Sequence, residues 1–97
     1  MKYQTKFPKQ SLVKKFENRL KKIPSKNIQN KIKDKILTLA NNPRPQGEPK
    51  IKPPIKLYGY VAQYRLRIGD YRVLYDVDDK KGIVWIYCLR KRNERTY

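Results

Sequence analysis

Arginine, lysine and tyrosine are the side chains of this chain best supplied for chemistry. The sequence contains no histidine, which excludes Cys/His and Ser/His/Asp catalysis and histidine-ligated metals. Gly47, Gly59, Gly69 and Gly82 are too dispersed to form a phosphate-cradling loop. Cys88, with no histidine to activate it, reads as a buried packing residue. Asp76, Asp78 and Asp79 read as servants of a strand and turn rather than as a metal cluster. The remaining set can still run one reaction, because RNA carries its own nucleophile in the 2′-hydroxyl. A protein need only align that hydroxyl with the phosphate, accept its proton, neutralise the phosphorane and protonate the leaving 5′-oxygen. Guanidiniums supply the electrostatic part and positioning supplies much of the rest.

The guanidiniums concentrate in Tyr64–Tyr75, Tyr-Arg-Leu-Arg-Ile-Gly-Asp-Tyr-Arg-Val-Leu-Tyr. Two runs rich in aromatic and branched residues flank Gly69-Asp70, a pair suited to a tight turn, so the stretch reads as a β-hairpin. Strand alternation sends Tyr64, Leu66 and Ile68 one way and Arg65 and Arg67 the other. On the second arm Tyr71, Val73, Tyr75 and Val77 share a face, and Arg72 projects opposite them with Leu74 and Asp76. Paired arms would gather Arg65, Arg67 and Arg72 on one surface, and their planar forks fit phosphate. On the hairpin alone, the solvated face of an antiparallel sheet is the first reading. The proton acceptor is the harder role. A tyrosine has a pKa near ~10, and neighbouring cations favour its ionised form. Tyr97, which follows Arg90, Lys91, Arg92 and Arg95, is the best-placed candidate, although by position alone it reads first as a free chain end.

The elements that must position these residues follow from periodicity. Lys2–Phe7 alternates with Tyr3, Thr5 and Phe7 on one face and predicts a first strand. Pro8 pre-sets the first turn of a helix, along which Leu12, Val13, Phe16, Leu20 and Ile23 recur at helical spacing. Pro24 interrupts the pattern, and Ser25 is the expected N-cap of a second helix with Ile28, Ile32, Ile36, Leu39 and Ala40 as its buried stripe. Asn41-Asn42-Pro43 ends it. Two such helices with a short connection make an antiparallel hairpin. Pro43–Pro54 reads as the linker between helices and sheet, and its Arg44, Lys50 and Lys52 are candidates to fringe the anion site. Ile55–Tyr60 reads as a strand bent at Gly59, Asp79-Lys80-Lys81-Gly82 as a turn, and Ile83–Leu89 as a central strand covered on both faces. In that strand Trp85 and Tyr87 are expected on one face, with Val84, Ile86 and Cys88 on the other. The expected architecture is α+β: an N-terminal strand and a two-helix hairpin packed on one face of a small antiparallel sheet, with a concave basic surface opposite.

At 97 residues the chain is expected to form a single domain, residues 1–97. A formal charge of +17 implies a polyanionic partner: nucleic acid, an anionic membrane or an acidic protein. No apolar run approaches the ~20 residues that span a bilayer, and the first residues lack the apolar core of a signal peptide. One cysteine rules out an internal disulfide and fits a reducing compartment, so a cytoplasmic location is expected.

Tyr64–Tyr75 resembles the central hairpin of the RelE/ParE toxin superfamily, in which Tyr-Arg-x-Arg-x-Gly-x-Tyr-Arg-Val-x-Tyr is typical. Leu57-Tyr58-Gly59 upstream and the basic ending Arg90–Tyr97 agree with it, and the likeness covers nearly the whole chain in size and element order. The resemblance to RelE-type members implies a ribosome-dependent endoribonuclease that cuts mRNA in the A site, without metal or other cofactor, leaving a cyclic phosphate. It places Arg65 and Arg67 at the paired basic positions of the first arm, Arg72 at the transition-state arginine and Tyr97 at the terminal tyrosine. For the basic residue of the tail, spacing back from Tyr97 points to Lys91, and arginine identity points to Arg92 or Arg90; Arg90 and Arg95 are further candidates to bind RNA. The hairpin positions that are often lysine in such members are arginine here, so no lysine acid–base role carries over. The chain also stops at Tyr97, and a terminal carboxylate opposes ionisation of that phenol. Two alternatives stand beside this one: a ParE-like inhibitor of DNA gyrase, and a basic module that binds RNA or ribosomes without cutting. Either toxin reading implies a cognate antitoxin whose acidic or amphipathic segment covers the helices and the basic face.

Overall fold

The computed structural model describes residues 2–45 and 50–92. Its elements run β1 (Gln4–Lys6), α1 (Gln10–Lys21), α2 (Lys26–Thr38), β2 (Ile55–Leu57), β3 (Tyr60–Ala62), β4 (Tyr64–Ile68), β5 (Tyr71–Asp78) and β6 (Ile83–Lys91). The main sheet has the order β1-β6-β5-β4. Its central pairs are antiparallel, whereas β1 joins the β6 edge in parallel. The two helices lie on one face, giving the α+β architecture that the periodicity predicts.

Helix α2 begins where expected: Ser25 adopts an extended backbone and its side chain accepts from the Ile28 N–H at 3.3 Å. Pro8 does not sit in the first turn of α1. It precedes the N-cap residue, Lys9, whose side chain makes no capping bond. The main core forms between the helices and the sheet from Phe16, Leu20, Ile23, Ile32 and Leu39 against Tyr64, Leu66, Ile68, Val73, Tyr75, Val84, Ile86 and Leu89. Tyr75 is wholly buried, so its hydroxyl needs a partner. It donates to the Pro43 carbonyl at 2.8 Å, which ties the start of the long loop to the sheet.

Two expectations are corrected on the other face. Ile55–Tyr60 is not one bent strand: β2 and β3 form a separate two-stranded hairpin, reversed at Tyr58 (φ 53°) and Gly59 (φ 83°). Positive φ at both central residues matches the twist of short hairpins. This hairpin covers part of the sheet with a second core of Leu57, Ala62, Leu74, Tyr87 and Cys88, flanked by Trp85 and Tyr60. Cys88 therefore shares a face with Tyr87, not with Val84 and Ile86. The reason is a β-bulge: Leu74 pairs with Cys88 but Tyr75 pairs with Ile86, so β6 fits one extra residue against β5 and its alternation flips there. The surface opposite the helices is thus half core and half basic.

Candidate active site

The bulge decides which side chains of β6 join the arginines of β4 and β5. Beyond it, Arg90 pairs with Arg72, and Arg72 pairs with Arg67, so three arginines form one row across three strands, on the face away from the helices. Like charges directly opposite one another on a sheet disfavour folding. A row of them makes physical sense as a site whose charge an anion balances. Their elements hold them firmly, because alternate positions on the same strands (Leu66, Ile68, Val73, Leu89) are locked in the main core.

The end of β6 completes the site. The Arg92 N–H donates to the Asp70 carbonyl at 2.6 Å, and Arg72 Nη2 donates to the Arg92 carbonyl at 2.9 Å. The chain is thereby tied to the Gly69-Asp70 turn, and Arg67, Gly69, Arg72 and Arg92 line a cleft of about 260 Å³. Gly69 has φ 56°, so the backbone lining the cleft relies on glycine. The cleft holds three guanidiniums and no carboxylate among its lining residues.

The other expected site residues divide clearly. Arg65 shares the face of Arg67, half exposed, opposite Leu74, and does not line the cleft. Lys91 is not part of it either. It is the ladder partner of Tyr71 on the helix side and lines a different cleft with Arg19, Lys22, Pro24 and its neighbour Arg90. Arg44 is corrected most plainly. It grips Asp79 with both ends of its fork (Nη2–Oδ2 2.8 Å, Nη1–Oδ1 3.2 Å), and its Nε donates to the Tyr64 hydroxyl at 3.0 Å, at the far end of the sheet. Lys50 and Lys52 are exposed on the same loop, and Lys50 adds to the positive field around Asp79. Tyr97 and Arg95 lie outside the described residues.

Two described tyrosines are poorly suited to act as a base. Burial, with help from the charge of Asp76, pushes the Tyr87 phenol up to about 12. The Tyr3 hydroxyl donates to Asp79 at 2.7 Å, and that hydrogen bond raises its pKa. Among the described residues no group of three His, Cys, Asp or Glu side chains is placed to hold a metal. No described helix is long and apolar enough to cross a membrane.

One residue the sequence reading quoted only for its resemblance proves to belong here. Tyr58, in the left-handed region at a cost of about 1 kcal/mol, brings its hydroxyl within 3.3 Å of Arg90 Nη2. The available signal was an aromatic residue immediately before a turn glycine.

Comparison with known proteins adds three findings. Residues 11–96 match the family model described as "ParE toxin of type II toxin-antitoxin system, parDE". No curated protein matches the chain in sequence. Among solved structures, a chain of the archaeal RelE–RelB complex from Pyrococcus horikoshii is similar, at 30% identity over 97% of this chain and 99% of that one, with a TM-score of 0.65. A chain of the intact E. coli RelBE complex is 23% identical over 96% and 99%, with a TM-score of 0.59. One from the RelBE2 complex of Mycobacterium tuberculosis is 22% identical over 95% and 100%, with a TM-score of 0.52. At that identity the last two speak for the fold.

Proposed function

The chain belongs to the ParE toxin family of type II toxin–antitoxin systems, within the RelE/ParE superfamily, and from that premise we propose that it is an endoribonuclease that cleaves mRNA in the ribosomal A site. The observation that carries the proposal is the cleft built by Arg67, Arg72 and Arg92, three guanidiniums around a space that suits a phosphate. An inhibitor that acts by binding protein has no need of such a concentration of fixed like charge.

In this reading Arg67 and Arg92 bind the non-bridging oxygens of the scissile phosphate. Arg72, which also donates to the Arg92 carbonyl, stabilises the phosphorane. Arg65, half exposed, holds the adjoining backbone, while buried Arg90 adds its charge from beneath. The 2′-oxygen attacks phosphorus while its proton passes to a base; the P–O5′ bond breaks, the 5′-oxygen takes up a proton, and a 2′,3′-cyclic phosphate remains. We assign the base to Tyr97, whose segment begins at the Arg92 anchor. The relatives crystallised as RelE–RelB and RelBE complexes support a cognate antitoxin for this chain too. The mainly apolar groove lined by Phe7, Val13, Phe16, Ile36 and exposed Leu37, with Glu17 and Lys33 among its lining residues, supports an amphipathic segment laid across the helices.

One observation favours a second reading: the family model that matches is that of ParE, which points to gyrase inhibition. Primer-extension mapping of an mRNA held in ribosomes separates the two. Wild-type protein is expected to give discrete A-site cuts, slowed by about 10²–10³-fold in Arg72→Ala, as on removal of one transition-state donor, and slowed strongly in Tyr97→Phe. Cuts at the wild-type rate in Arg72→Ala remove that residue from the mechanism. Growth arrest with no cuts at all transfers the assignment to gyrase.

A further inference from the structure

Tyr58 occupies a position that neither its turn nor the core explains. Its backbone, at φ 53°, is one that asparagine or glycine fills readily and an aromatic residue rarely does. Its side chain is 42% exposed, whereas its neighbour Leu57 is buried in the second core and Tyr60 packs against it. What distinguishes the ring is where it stands. The hydroxyl accepts from Arg90 Nη2 at 3.3 Å, and Arg90 is the ladder partner of Arg72, so Tyr58 lies at the β6 end of the arginine row. Lys15 Nζ lies over the ring, 4.3 Å from its centroid. An exposed aromatic ring beside a track of cations is the arrangement that holds single-stranded nucleic acid: the cations follow the backbone and the ring stacks a base.

We propose that Tyr58 is a stacking platform for a base of the RNA strand flanking the scissile phosphate, the base lying on the ring face opposite Lys15 while buried Arg90 braces the hydroxyl. The proposal rests on the reading that the arginine row binds RNA. The β2–β3 turn places the ring, and the ring face supplies the affinity.

The test uses a short single-stranded RNA with 2′-O-methyl sugars, which blocks cleavage, and 2-aminopurine substituted at successive positions. With wild type, fluorescence at one position should be quenched on binding. Tyr58→Phe, which keeps the ring, should retain the quenching. Tyr58→Asn should lose it and bind the RNA roughly tenfold more weakly, as on loss of one base–aromatic stack. Its thermal midpoint should match that of Tyr58→Phe, which loses the same hydroxyl bond to buried Arg90. Quenching that persists in Tyr58→Asn, or that wild type never shows while binding RNA, overturns the proposal and leaves the RNA reading in place. A midpoint of Tyr58→Asn well below that of Tyr58→Phe assigns the ring to folding and overturns it too, as does loss of quenching in Tyr58→Phe. Unchanged RNA binding with weakened gyrase inhibition in Tyr58→Asn assigns the ring to a protein surface instead. Wild type that binds no RNA overturns this proposal and the nuclease reading together.

Discussion

Arg44 and Arg72 are the same side chain put to opposite uses. Arg72 sits in a cleft with two further guanidiniums, while Arg44 closes a two-bonded fork on Asp79, thirty-five positions along the chain. Asp79 is held below the usual carboxylate range, first by its hydrogen bonds to Arg44 and then by the one from Tyr3. A carboxyl so depressed stabilises the fold above its unfolded pKa, and that contribution disappears as pH falls through the lower, folded value. Arg44→Ala should therefore lower the thermal midpoint at neutral pH, and the gap to wild type should narrow steadily below the ~3.9 of a free aspartate. A gap that stays constant down that range would assign the loss to the Tyr64 contact rather than to the ion pair. RNA binding should be untouched. Nothing in the residues around Arg44 distinguishes it from a phosphate ligand; only its distant partner does. Lys91 teaches the same lesson from the other side. It neighbours Arg90 and Arg92 in sequence, yet the register beyond the bulge sets it opposite Tyr71, outside the cleft that Arg92 lines.

At the level of elements, local signals were reliable wherever the physics is local. Ser25 was readable as a cap because the bond it makes reaches only three residues ahead, to Ile28. Ser25→Ala should cost about 1 kcal/mol of unfolding free energy, read from urea denaturation with an unchanged slope; an unchanged midpoint would mean that packing alone sets the start of α2. The hairpin β4–β5 was equally legible, since alternation and a Gly-Asp turn are contained in a dozen letters. The bulge opposite Leu74 was not. Ile83–Leu89 is apolar at every position, so its composition carries no mark of which residue is the extra one. Ile55–Tyr60 misled for a related reason: glycine at 59 signals a bend or a reversal equally well, and the reversal needs a tyrosine to accept positive φ.

Taken whole, the molecule is a polycation of +17 whose fixed charges are unevenly arranged. The lysines on the outer helix faces attract any polyanion, while the arginine row gives it a place to dock. Affinity for single-stranded RNA should fall linearly with the logarithm of salt, with a slope of roughly 0.7 per phosphate held. Removing one arginine of the row by Arg67→Ala should flatten the slope by about one contact, and Arg44→Ala should not change it. Fluorescence anisotropy across a salt series measures both, and equal slopes for wild type and Arg67→Ala would take Arg67 out of the anion site. The sequence by itself determined the helices, the hairpin, the α+β class, the cationic chemistry and the superfamily, because periodicity, turn chemistry and residue type are written in neighbouring letters. Tertiary structure alone decided that Arg67, Arg72 and Arg92 share a cleft, that Lys91 faces away and that Arg44 is committed to Asp79. Those outcomes depend on strand register, on one bulge and on a carboxylate far along the chain, all fixed only when the separate segments pack together.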